Sequence, residues 1–198
     1  DGIEPDWLCV CSDKSVSDDL DDFVDDMSEM GFKITTEKDE VRKWLAENNK
    51  DIKIIFTTYQ SSTVTVEGSK DFSFDFVDIN SGCPIDCITG RGAGSALMMR
   101  PSRLEKIVRG MSSQLTCPVT VKIRAGWNEK KLNAPSLVAT MQKWGGRDVV
   151  GAVSVHGRTR AARYTRAANW DLIRRCATEQ SAELAHLPVV GNGDIFSW

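Results

Sequence analysis

The sequence predicts an α/β chain: a small α/β segment, then about four βα units of a partial (β/α)8 barrel. Three observations predict it. Apolar, strand-like runs at 76–80, 119–124, 152–156 and 188–191 start 43, 33 and 36 residues apart, the length of repeated βα units. The stretches between them place apolar residues at helical spacing: Leu104, Ile107, Val108, Met111 and Leu115, then Leu137, Val138, Met141 and Trp144, then Leu172, Ile173 and Cys176. Polar, chemistry-bearing residues gather at the carboxyl end of each run, the edge where parallel α/β folds bind ligands.

The first 76 residues read differently, as strand, helix, helix, strand. Residues 7–11 form a short apolar strand. Ser17 can cap a helix whose stripe is Leu20, Phe23, Val24, Met27 and Met30, and Gly31 ends it as a left-handed cap. A second helix after Thr36 buries Val41, Trp44 and Leu45, and 52–59 is a β-rich strand. Acidic pairs at 18–19, 21–22 and 25–26 suit a solvated helix face, because no EF-hand glycine or glutamate spacing accompanies them. The wording LCVCSDKSV (8–16), IIFTTYQSS (54–62) and FSFDF (72–76) resembles part of the first motor domain of superfamily-2 helicases. The phosphate loop G-x-x-x-x-G-K-[ST] and the acidic box of that family are both missing, so this segment is not expected to hydrolyse ATP.

Composition is that of a globular chain, 41% hydrophobic and 27% charged. The net charge of −3 conceals an asymmetry: residues 1–76 sum to −11 and residues 77–198 to +8. The basic part suits a polyanionic partner. No apolar run is long enough to span a membrane, and no basic n-region or apolar h-region opens the chain. The expected compartment is reducing, cytoplasmic or nuclear, with the six cysteines as free thiols. Their spacing, with no matching histidine cluster, suits no zinc site, and no metal is expected. The lack of an initiator methionine suggests a partial chain.

The strand ends carry the chemistry. Asn80 and Cys83 follow the first run, and a glycine loop (Gly90, Gly92, Gly94) leads from them into a helix-like apolar stretch. Lys122 and Arg124 close the second run, His156 and Arg158 the third, Asn192, Gly193 and Asp194 the fourth. Each of these alone is compatible with a structural role; four consecutive strand ends of this kind point to a site. The wording VDINSGCPID (77–86), GAGSALMMRP (92–101), VTVKIRAGW (119–127), VHGRTRAARYTRAANWD (155–171) and VVGNGDI (189–195) resembles tRNA-dihydrouridine synthases, most of all the eukaryotic subfamily acting on the variable-loop uridine, position 47.

The resemblance implies an FMN-dependent oxidoreductase, with NADPH or NADH as reductant and tRNA as partner, that reduces the C5–C6 double bond of uracil. By position in the motif, Cys83 would protonate C5, a task for a thiol that stays protonated until it is used. Lys122 would contact the flavin N1–O2 edge and stabilise the charge of the reduced ring. His156 would meet the ribityl-phosphate side, and Asn192, Gly193 and Asp194 would cradle the phosphate. Asn80 would orient uracil, and Arg158 would meet substrate or flavin. Cys87 and Cys117 would be structural. Arg91, Arg100, Arg103, Arg109, Arg158, Arg160, Arg163 and Arg166 would suit backbone phosphates, and the target base would have to leave its stack. The family's first barrel strand, flavin-binding glutamine, eighth-strand phosphate loop, helical tRNA-binding domain and zinc fingers have no counterpart in this wording. Two alternatives therefore stand beside the enzyme reading: an inactive chimeric fusion, and a helicase-derived nucleic-acid-binding fragment.

Overall fold

A computed structural model describes residues 6–10, 33–35, 38–47, 53–57 and 67–195. The chain divides into two compact units, Asp1–Ser73 and Phe74–Trp198.

In the first unit, β1 (Asp6–Val10), β2 (Lys33–Thr35) and β3 (Lys53–Thr57) form a parallel sheet in the order β2-β1-β3, with helix α1 (Lys38–Ala46) between β2 and β3 in the chain. The first strand is central, an order found in open, doubly wound sheets and not among consecutive barrel strands. Helix α1 buries Val41 and Trp44, three residues apart on one face, against Leu45 and Ile55. Asp39 and Glu40 in its first turn and Lys43 in its last complement the helix dipole. Lys53 answers the open carboxyl end: its Nζ donates to the carbonyls of Trp44 at 2.5 Å and Leu45 at 3.3 Å and lies 5.0 Å from the Trp44 ring centroid. Strand β2 was not expected from the sequence, because three residues are too few to show a two-residue period. The helix expected from Ser17 to the cap at Gly31 lies outside the described residues.

The second unit runs β4 (Val77–Asn80), α2 (Asp86–Gly90), a 3-10 segment (Gly94–Met99), α3 (Pro101–Ser112), β5 (Val119–Arg124), α4 (Ala134–Gln142), β6 (Ala152–His156), α5 (Trp170–Thr178) and β7 (Val189–Asn192). Its four strands are parallel and lie in chain order, β4-β5-β6-β7. The two middle strands match their expected bounds, and the outer two differ by a residue. The helix-like stretch after the glycine loop is the 3-10 segment, tied down where the Ser95 N–H donates to the Cys83 carbonyl at 2.9 Å.

One sheet face makes the core. Ile79, Val121, Ile123, Val153 and Val155 are buried against Leu104 and Val108 of α3, Leu137, Val138 and Met141 of α4, and Leu172 and Ile173 of α5. The expected helical stripes supply these contacts, with Ile107, Met111 and Leu115 packed at the margin. Pro101 opens α3, where a missing N–H costs nothing, and the Asn169 side chain caps α5 by accepting from Leu172 N at 2.9 Å. Two buried glutamines fix the approach to β7. Gln142 accepts from Ser181 N at 2.8 Å and donates to Ala185 O at 3.2 Å, while Gln180 accepts from Leu187 N at 2.7 Å and donates to Leu187 O at 2.9 Å.

The opposite face is polar. Asp78, Asn80 and Val190 are exposed, and Thr120, Lys122, Ser154 and Asn192 are half-buried. The two-residue alternation of a strand places all of these on the side away from the helices. No described helix is long and apolar enough to cross a membrane.

Candidate active site

Strand register assembles the site. Asn80 lies opposite Lys122 across the β4–β5 pair, Arg124 opposite His156, and His156 opposite Asn192. Residues that are 70 or more positions apart in sequence thus meet at one carboxyl edge. Lys122 spans the face: its Nζ donates to Asn192 Oδ1 at 3.0 Å, reaching from β5 to β7 across β6. Burial and the nearby Arg124 cation lower the Lys122 pKa, while Asp78 pulls it back up.

Cys83 is half-buried on the loop after β4. That loop is held from three directions. Asn80 Oδ1 accepts from the backbone N–H of Gly82 at 3.0 Å and of Cys83 at 3.1 Å, so the asparagine folds the chain back on itself. Arg124, only 4% exposed, donates from Nε to the Gly82 carbonyl at 2.8 Å. Gly94 packs against the cysteine itself: its φ is 54°, and a Cβ there would stand 2.8 Å from the Cys83 carbonyl oxygen and 2.9 Å from Cys83 Cβ.

Arg124 also gathers the segment after β6. Its Nη1 donates to the carbonyls of Thr159 at 3.2 Å and Arg163 at 3.3 Å, and its guanidinium lies 5.8 Å from the Tyr164 ring centroid. Burial lowers its pKa, an effect offset by Tyr164 and Cys83 and reinforced by Arg158. Tyr164, 75% exposed, also stands 5.9 Å from the Arg158 guanidinium and 6.1 Å from the His156 ring.

His156 is buried, and its pKa falls to about 4, first through burial and then through the cations Arg124, Lys122 and Arg158. It is neutral near pH 7. Arg158 Nη1 lies 3.4 Å from its Nε2, which makes Nε2 the acceptor and leaves the proton on Nδ1.

Both carboxylate oxygens of Asp194 are engaged within the protein. Oδ1 accepts from Arg158 Nη2 at 2.6 Å and Oδ2 from Ala168 N at 2.7 Å. The Ala168 N–H and then Arg158 hold its carboxyl below the usual range. These bonds keep Asp194 in the left-handed region, at φ 54°. Gly193 adopts φ 107°, and a Cβ there would stand 2.9 Å from both Ala168 Cβ and His156 Cδ2, while its carbonyl accepts from Trp170 Nε1 at 3.0 Å.

All the expected site residues therefore lie at one edge, but they do different work. Lys122, His156, Asn192 and the Gly193 backbone define the surface, while Asn80, Arg158 and Asp194 brace it. Arg124 is visible in the sequence as a strand-end arginine, yet nothing in the sequence shows that it clamps Gly82. Cys87, expected as a structural residue, is exposed on α2, and Cys117 is half-buried. Cys176 is buried in the core, which pushes its thiol up to about 12. The four cysteines Cys83, Cys87, Cys117 and Cys176 are free, and among the described residues no cluster suits a metal ion. A cleft of about 380 Å³, lined by Ala125, Glu129, Thr159 and Arg166 among others, meets this edge only through Gly157 and Arg158.

The face fits an anionic cofactor such as a flavin mononucleotide. Lys122 is a half-buried cation that forms no ion pair among the described residues; Asp78 acts on it only at longer range, Arg124 adds a second positive charge, and Asp194, the acid beside the end of β7, is already paired with Arg158.

Polar residues gathered at the carboxyl edge of a parallel sheet place this chain among the α/β proteins that bind ligands at their strand ends. The chain belongs to the dihydrouridine synthase (Dus) family, whose family model matches residues 23–198. It is 45% identical over 130 residues to a protein of Xenopus laevis named tRNA-dihydrouridine(47) synthase [NAD(P)(+)]-like, covering 66% of this chain and 19% of that protein. Human and Oryza sativa subsp. japonica proteins of the same name are each 44% identical, over 130 and 126 residues, covering 66% and 64% of this chain and 19% and 17% of their own. The chain spans about a fifth of the length of these curated relatives. The family match starts at residue 23, across the junction that the sequence places at residue 76, and the helicase-like reading of residues 1–76 gains no support from it.

Proposed function

We propose that this chain is part of an FMN-dependent tRNA-dihydrouridine synthase that reduces the variable-loop uridine at position 47, with NADPH or NADH as reductant. In this reading residues 77–198 are about four units of the (β/α)8 barrel, and residues 1–76 are a separate α/β segment. The observation that carries it is the Lys122 to Asn192 bond, which lays a cation across the carboxyl edge of three adjacent strands with Cys83 on the neighbouring loop. The names of the relatives support the choice of uridine.

Bound FMN would supply the hydride that reduces C6 of uracil. Lys122 would hold the anionic edge of the ring, with Asn192 fixing its Nζ. Neutral His156 and the Gly193 backbone would line the phosphate side. Arg158 and Asp194 keep that loop in place. Cys83 would donate its proton to C5: the S–H bond breaks, the C5–H bond forms, and the thiolate is reprotonated from solvent. Asn80 and Arg124 set where that thiol stands, through the Cys83 N–H and the Gly82 carbonyl.

The test is Cys83→Ala in a chain loaded with FMN and supplied with NADPH and unmodified tRNA. Dihydrouridine formation should disappear while the flavin absorbance stays. Turnover retained by the variant would refute the proton-donor role, and a protein that takes up no FMN would refute the flavoenzyme reading.

A further inference from the structure

The eight arginines named above as suited to backbone phosphates are not equivalent. Arg109 is bonded to Glu105 at 2.8 Å, Arg158 to Asp194 at 2.6 Å, and Arg160 and Arg163 both to Asp86. Arg160 also stacks on Trp127, 4.6 Å from its ring centroid. Arg91, Arg100, Arg103 and Arg166 have no ion pair among the described residues, and all four are exposed.

Two of these unpaired cations converge. A Cβ at Gly92, whose φ is 76°, would stand 3.0 Å from Arg103 Nη1 and 3.5 Å from Arg100 Nη1. The two guanidinium groups therefore overhang one backbone point, and Arg91 is the residue just before it. They do so at the start of α3, where the helix has no side-chain cap and no acid in its first turn. Like charges close together, at the positive end of a helix, repel one another and the dipole. An anion placed between them adds an attraction to each guanidinium and to the helix terminus, and these offset the repulsion.

The location indicates which anion. From Gly92 the chain passes through Ala93 to Gly94, which packs on Cys83, and Ser95 donates to the Cys83 carbonyl. The cluster thus stands on the same loop assembly as the proposed proton donor. A nucleotide presenting its base to Cys83 carries a phosphate on either side, and the arginines overhang Gly92, two residues before the glycine that packs on Cys83.

We propose that Arg100 and Arg103, with Arg91, form a phosphate-binding site for the RNA strand beside the nucleotide presented to Cys83. This rests on the tRNA reading above. Guanidinium forks match phosphate oxygens in geometry, and two on one phosphate would set the register of the strand without reading its bases.

The test is fluorescence anisotropy of the 198-residue chain with an unmodified tRNA transcript over a salt series. In R100Q/R103Q, affinity should fall about 10-fold and the slope of log K against log salt should shrink by about 1. R175Q, which removes an arginine paired with Glu179 in the last turn of α5, should change neither. R100K/R103K should keep the wild-type slope; a loss equal to that of the glutamine pair would mean lost packing and overturn the proposal. Unchanged affinity and slope in R100Q/R103Q, with the wild type binding, would overturn this site alone. A wild type that binds no tRNA would overturn the RNA reading with it. Polyglutamate competing as well as polyuridylate would reassign the cluster to an acidic protein and overturn it likewise.

Discussion

Arg124 donates from Nε to the carbonyl of Gly82 at 2.8 Å, joining the end of β5 to the residue before Cys83. The same guanidinium holds the Thr159 and Arg163 carbonyls, so one buried cation sets two loops that meet at the site. Arg124→Met fills much of the volume but leaves three carbonyls without this donor. Each unsatisfied buried group costs about 1–3 kcal/mol, so a loss of about 2–4 kcal/mol in stability is expected after partial relaxation. Urea denaturation measures it. Alkylation of Cys83 by iodoacetamide should also quicken, because the loop is no longer anchored; an unchanged rate would show that Arg124 does not position the thiol.

Gly94→Ala should disturb the same loop from the other side. The substitution meets a backbone oxygen 2.8 Å away and a φ of 54°, neither of which a side-chain rotation relieves. A cost of about 1–3 kcal/mol is expected, with altered Cys83 reactivity. Gly90→Ala, where an added Cβ meets nothing within 4 Å, is the control and should leave both unchanged.

Lys122→Met should weaken FMN binding by about tenfold or more and leave the melting temperature within a few degrees, since the side chain is half-buried and faces away from the core. Flavin fluorescence quenching gives the affinity. Equal affinity in the variant would remove Lys122 from the cofactor surface.

Stability should depend on pH between about 6.5 and 4 through His156. Its folded pKa of about 4 lies below the ordinary 6.5, so in that window the unfolded chain binds a proton that the folded chain does not. The contribution is fully present above pH 6.5 and is lost as pH falls toward 4. Chemical denaturation midpoints across this range should decline for the wild type and decline less for His156→Asn. Parallel curves would show that His156 carries no such linkage.

Much of the second unit is legible in the chain because its local rules agree with one another. Val121, Ile123, Val153 and Val155 alternate with polar neighbours, and Leu104, Val108, Leu137 and Met141 recur at helical spacing, so strand and helix periods name the same core. The first unit is less legible. A three-residue strand at 33–35 has no period to detect, and the order that puts β1 in the centre depends on which strands pair, not on the pattern of any one of them.

The sequence by itself determined the four parallel strands and the helices between them, the strand-end residues Asn80, Cys83, Lys122, His156, Arg158, Asn192, Gly193 and Asp194, and the family to which they belong, since these follow from short-range periodicity and motif order. Tertiary structure alone decided the division of labour among them. Register placed Asn192 within 3.0 Å of Lys122, burial and three converging cations made His156 neutral, and the folding of one loop over another turned Arg124 into the clamp on Gly82. The same holds for the arginines: composition counts twelve in residues 77–198, and only their packing separates those bonded to Glu105, Asp194 and Asp86 from the pair left facing Gly92. Hydrogen bonds and electrostatic shifts depend on distances between residues remote in sequence, and those distances exist only once the sheet has formed.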